Sequence, residues 1–172
     1  YGVEYGKFRS QPNGKRGYLV QLEPRQSLTG AKSDLWLPIR PGTEGLVAQA
    51  MIRLIADSSI GSRDRIDRAK QLAGSIDVNT IAAVADLPVE ELIHLATIFA
   101  MSAHPIAIPG GNIAGQPDAN NSITAIQALN SIAGTIGPPG GMSLSSVLAF
   151  PYLLPTQTLA PFSDAKIFMH RY

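Results

Sequence analysis

Three short stretches of the sequence place chemically capable residues where the chain changes direction: Glu23-Pro24-Arg25, Pro41-Gly42-Thr43-Glu44 and Pro109-Gly110-Gly111-Asn112. Each follows an apolar run. In open α/β sheets ligands sit beyond the carboxyl ends of strands, where loops and helix N-termini converge. Gly42, Thr43 and Glu44 stand at the start of a helical pattern, where free amides and the helix dipole favour a capping oxygen or an anion. An acid that closes a strand, as Glu23 does, can hold a ribose diol. Each residue also has a plainer use: Thr43 as a helix cap, Glu44 as a complement to the dipole, Gly110-Gly111 as a turn. The chain has neither GxGxxG nor GxxxxGK[ST], and no Ser/His/Asp arrangement that would support acyl transfer.

Strands and helices must position these junctions. "GYLVQLEPR" predicts a strand over Tyr18–Glu23 closed by Pro24, and "DLWLPIR" a second one, with Pro38 arguing for an edge or irregular place. Leu46, Val47, Ala50, Met51, Leu54 and Ile55 recur on one face of a 3.6-residue period, so a helix runs from Thr43 to about Asp57. "SRDRIDRAKQLA" predicts a charged surface helix, and Asp77 can cap another in "VNTIAAVA". "DLPVEELIHLATIFAMSA" begins a further helix, with Pro88 near its first turn and Glu90 and Glu91 at its positive end. "PIAIPGGN" predicts a short buried strand, and "ANNSITAIQALNSIAGTIG" a helix ended by Gly134 or Gly137. The expected organisation is a loop over 1–16, an α/β domain over 17–141, an irregular proline-rich segment over 142–163, and the start of another strand over 164–172. Alternating strands and helices indicate an α/β fold with a mainly parallel sheet and flanking helices.

Composition narrows the chemistry. The 172 residues carry 14 Lys and Arg against 13 Asp and Glu, so the net charge of +1 supplies no field for a nucleic acid. With no cysteine, the chain provides no disulfide, thiolate nucleophile or iron–sulfur ligand. His94, His104 and His170 lie far apart and share no face with a carboxylate at metal-ligand spacing, so no metal site is expected. No apolar stretch is long enough for a transmembrane helix. A first residue of Tyr1 suggests a fragment or a processed chain. Residues 1–91 hold 23 of the 27 charged side chains, and between Glu91 and Asp164 Asp118 is the single charge. A half so poor in charge is either a core half or a surface buried against more protein.

The order of these motifs resembles the molybdopterin oxidoreductase family, which includes formate dehydrogenases, periplasmic nitrate reductases and polysulfide reductases. The matching residues are "LEPRQSLTGAKSDLWLPIRPGTEG", "ADLPVEELIHLATIFAMSAHPIAIPGGN" and "LNSIAGTIGPPGG", covering residues 17–141 well, while "AKIFMHRY" matches more loosely. The resemblance implies an interior piece of a much longer subunit, taken from its dinucleotide-binding-like domain. In catalytic relatives that domain grips one half of a molybdenum or tungsten bis(molybdopterin guanine dinucleotide). It further implies that Glu23, Arg25, Gly42, Thr43 and Glu44 match nucleotide-contacting positions, and that Gly110, Gly111 and Asn112 match a loop near the cofactor. The family's metal ligand and cysteine cluster fall outside the sequence.

This chain has Glu at 23 and 44 where catalytic members usually have Asp. "EPRQSLTGAKSD" is similar to the molybdopterin-like iron–sulfur subunit of alternative complex III, in which the fold is kept without molybdenum. The leading expectation is therefore a scaffold segment of a quinone-linked complex on the periplasmic face of a bacterial membrane. In that reading no cofactor is bound by this segment and iron–sulfur clusters lie elsewhere in the subunit. Its partners are an iron–sulfur segment and a quinol-binding membrane subunit. The alternative is a catalytic molybdenum subunit acting on a small oxyanion, a sulfur compound or formate.

Overall fold

The computed structural model describes residues 2–10, 16–137 and 141–142. Two three-residue strands, β1 (Val20–Leu22) and β2 (Leu35–Leu37), pair in parallel with Val20 opposite Leu35 and Leu22 opposite Leu37. Between them a single helical turn, α2 (Leu28–Ala31), starts at Ser27, whose hydroxyl accepts from the Gly30 N–H. The ladder stops at Pro38, which has no N–H to give.

α3 (Glu44–Asp57) is the axis of the molecule. Its apolar face, Val47, Ala48, Ala50, Met51, Ile52 and Ile55, is buried, and it packs against α4 (Arg63–Leu72), α5 (Val78–Ala85), α6 (Val89–Met101) and α7 (Ala119–Ala133). The α3–α7 contact is close because residue 45 is glycine: a Cβ there would lie 2.6 Å from the Ser122 Cα. Burial of this size, at about 25 cal/mol per Å² of apolar surface, is the main force holding the helices together.

Most helix ends obey local rules. Asp77 caps α5 through the N–H groups of Asn79 and Thr80, and Gly134 closes α7 at φ 70°. The charged α4 does more than face solvent. Arg65 donates to the carbonyls of Ala100, Ser102 and Ala103 at 2.7, 2.6 and 3.0 Å, closing the C-terminal end of α6, and Arg68 donates to Ser131 at 3.3 Å near the end of α7. A cation at a helix C-terminus meets both unpaired carbonyls and the negative dipole end.

Two expectations fail among the described residues. Residues 2–9, read as part of a loop, form α1 (Gly2–Arg9), held by the Arg9 guanidinium on Asp34 and on the Gly17 and Lys32 carbonyls. Long-range ion pairing supplies what its weak apolar pattern does not. The strand expected in "PIAIPGGN" does not form: the segment enters neither strand of the described sheet. The sheet is thus smaller than expected and the domain richer in helix. The proline-rich segment, Met142 apart, and the strand expected over 165–170 lie outside the described residues.

Candidate functional site

β1 and β2 run side by side, so their carboxyl ends emerge together, and the Glu23 N–H donates to the Leu37 carbonyl at 3.3 Å. Glu23 then turns back on its own loop. Its Oε1 accepts the Ser27 N–H at 2.7 Å and its Oε2 the Gln21 amide at 3.3 Å. Burial works against its charge, yet the Ser27 N–H and hydroxyl, Gln21 and the nearby Arg25 together hold the carboxyl below the ordinary glutamate value. Gly30 leaves the room: a Cβ there would sit 2.3 Å from Oε1. Arg25 is exposed.

Beyond β2 the chain makes a Pro41-Gly42 turn closed by the Thr43 N–H on the Arg40 carbonyl at 3.2 Å. Gly42 has φ 84°, which a proline-led turn of this kind asks of its third residue. Thr43 is buried, and its hydroxyl donates to the same Arg40 carbonyl at 2.6 Å. It makes no side-chain cap to α3. The expected cap is therefore absent, and the hydroxyl locks the turn instead. Glu44 opens α3, and its Oε2 is buried with no hydrogen-bond partner.

The third junction reaches the second. Gly111–Gly115 is a short 3₁₀ helix after Gly110, and it delivers Gln116 to Gly42, where a Cβ would lie 3.6 Å from the Gln116 Oε1. The Gly45–Ser122 approach sets the N-terminal ends of α3 and α7 side by side. Gly110, Gly111 and Asn112 are exposed, and Asn112 folds back so that its Oδ1 would meet a Cβ at Gly110 at 2.6 Å. Gly42–Glu44 and the loop leading to Gln116 thus form one cluster, while Glu23 and Arg25 belong to the turn after β1.

The eight expected residues fall in two groups: Glu23 accepts the Ser27 N–H and the Gln21 amide within its own turn, the Thr43 hydroxyl donates to Arg40, and Glu44 keeps a buried Oε2 with no hydrogen-bond partner. No group of three or more metal-ligating side chains occurs among the described residues. No helix there is long and apolar enough to cross a membrane.

Two hubs escaped the sequence reading. Asp34 accepts from Arg9, Arg16 and the Leu19 N–H, and these bonds, that from Arg9 foremost, hold its carboxyl far below the usual carboxylate range although burial opposes them. Only the fold brings residues 9, 16 and 34 together. Asn130 is fully buried, with its amide on both the N–H and the carbonyl of Ala107 at 2.8 Å. That signal was available: Asn130 stands one helical turn after Ile126, on the apolar face of α7.

No family model matches the chain. Among curated proteins it is 31% identical over 77% of its length to the menaquinone reductase, molybdopterin-binding-like subunit of Nitratidesulfovibrio vulgaris, covering 20% of that protein. It is 26% identical over 76% of its length to the assimilatory nitrate reductase catalytic subunit of Bacillus subtilis, covering 19% of it. It is 29% identical over 74% of its length to the thiosulfate reductase molybdopterin-containing subunit of Salmonella typhimurium, covering 18% of that protein. The chain therefore spans about a fifth of the length of the curated relatives it matches. Acetylene hydratase from Pelobacter acetylenicus shares its fold, with a TM-score of 0.64 at 20% identity over 73% of this chain and 18% of that one.

Proposed function

We propose, from the premise that this chain belongs to the molybdopterin oxidoreductase family, that it is a scaffold segment of a molybdopterin-like subunit in a quinone-linked electron-transfer complex. In this reading the subunit takes part in quinol oxidation, and electrons pass through iron–sulfur clusters held by other segments. Its partners are an iron–sulfur segment and a quinol-binding membrane subunit, on the periplasmic face of a bacterial membrane.

The observation that carries the reading is the inward commitment of the would-be nucleotide contacts. The Glu23 carboxylate already accepts the Ser27 N–H and the Gln21 amide, and the Thr43 hydroxyl spends its one proton on the Arg40 carbonyl, so both are engaged by their own turns and meet a nucleotide only with the acceptor capacity that remains. The likeness to a menaquinone reductase's molybdopterin-binding-like subunit supports it further. The experiment is metal and nucleotide analysis of the intact assembly. Iron with no stoichiometric molybdenum is expected, together with reduction of an artificial acceptor by quinol. Stoichiometric molybdenum with extractable guanine dinucleotide would sink the proposal.

One observation favours a second reading, a catalytic molybdenum subunit acting on a small oxyanion, sulfur compound or formate. The unpartnered Glu44 Oε2 lies at the head of α3 beside Gly42, where a guanine edge could donate to it. The same analysis separates the two.

A further inference from the structure

Among the described residues, a groove of about 60 Å³ opens on the surface where the end of α3 meets α6, lined by Leu54, Ile60, Ile93 and Ala96. The protons of its two hydroxyls are already spent: Ser58 donates to the Ile55 carbonyl at 3.1 Å and Thr97 to the Ile93 carbonyl at 2.8 Å. What the groove offers is therefore mainly apolar contact, with room for the end of one branched side chain. Its wall continues along α6, where Ile93 is 45% and Met101 67% exposed. Glu90, Ile93, Thr97 and Met101 share that side of the helix, at spacings of three and four residues.

The charge around the groove is one-sided. Between Lys70 and Lys166 the sequence has no lysine or arginine, while α5 and α6, with the cap and turn that flank α5, hold Asp77, Asp86, Glu90 and Glu91. Asp77 is used as the α5 cap, and Glu91 lies 3.8 Å from His94. Asp86 and Glu90 are exposed and enter no ion pair among the described residues. Arg53, beside Leu54, is already paired with Asp57, and Arg65 with the carbonyls that end α6. Residues 143–163 contain no charge, so that apolar stretch has no cation to give this rim.

We infer that this face receives a segment of a partner polypeptide, which seats one apolar anchor side chain between Ile60 and Ile93 and sets a lysine or arginine against Glu90. A single anchor pocket with a charged rim is the form of an interface between separately folded molecules. Unpaired acids around it speed and orient an encounter between two molecules. A contact within one chain, already at high effective concentration, has no need of such steering. The inference uses neither the cofactor nor the electron-transfer reading.

Photo-crosslinking in the intact assembly tests it, with benzoylphenylalanine in place of Met101 in the full-length subunit. Linkage to another polypeptide is expected, within a stretch that carries a net positive charge and an apolar residue. Glu90→Lys should lower the yield at least about tenfold, and Glu90→Gln by less. Four results would each overturn the proposal: linkage to the subunit itself, residues 143–172 included; linkage to a stretch without net positive charge; no linkage; or a yield that Glu90→Lys leaves unchanged. Metal analysis is untouched by these outcomes, so failure here and failure of the functional reading are separable.

Discussion

Glu23 and Glu44 look alike in sequence: each is an acid in a proline-containing turn after a strand, with a helix to follow. In the fold they are opposites. Glu23 accepts on both oxygens within its own loop, with Gly30 vacating space for it. Glu44 keeps a buried oxygen without a partner beside a turn in which the Thr43 N–H and hydroxyl are both bonded to Arg40. The difference teaches that a strand-end acid becomes a structural element or a ligand acceptor according to the donors its local loop supplies. Ser27, four residues after Glu23, captures its carboxylate; no residue captures the Oε2 of Glu44.

Substitutions can break or sharpen this contrast, each read by amide exchange around the site in the full-length subunit. Gly45→Ala should have the largest effect, about 3 kcal/mol of local destabilisation, because the added methyl meets the backbone of Ser122. A neutral result would mean that α3 and α7 are not in close contact. Thr43→Val should cost about 1–2 kcal/mol by removing the donor to Arg40, with Thr43→Ser largely restoring it. Gly30→Ala should cost about 1 kcal/mol, less than Gly45→Ala, since it meets the end of the Glu23 side chain rather than backbone. Glu44→Gln should be smallest, within about 0.5 kcal/mol, since the lost charge interacts chiefly with the helix dipole. A larger loss there would show that Glu44 has a partner in the full subunit.

Acid should tell the two regions apart as well. The folded carboxyls of Asp34 and Glu23 are both depressed, so each contributes stability that is complete above its unfolded value, about 4, and lost as the pH falls toward the folded value. The turn after β1 and the docking of α1 should therefore loosen below about pH 4, before the Thr43 turn, which holds no titrating bond. Exchange measured from pH 6 down to pH 3, corrected for intrinsic rates, checks the order.

Much of the helical framework was legible because its rules are local. The periodicity over 46–55, Asp77 as a cap and Gly134 as a terminator all appear where expected. The strand expected in "PIAIPGGN" was not legible as unpaired, because composition reports a tendency to extend and pairing depends on a neighbour. α1 was missed for the converse reason: its anchoring charge, Asp34, lies 25 residues from Arg9 in sequence.

By itself the sequence determined where the chain turns, which faces are apolar, and, through the order of its motifs, the family. Those properties follow from backbone sterics, burial and residue order, all within a few turns of chain. Tertiary structure alone decided that Glu23 is spoken for, that Thr43 locks a turn instead of capping a helix, and that Gln116 reaches Gly42. A polar group's role depends on which donors and acceptors come within 3 Å of it, and that distance is set by packing between segments remote in sequence.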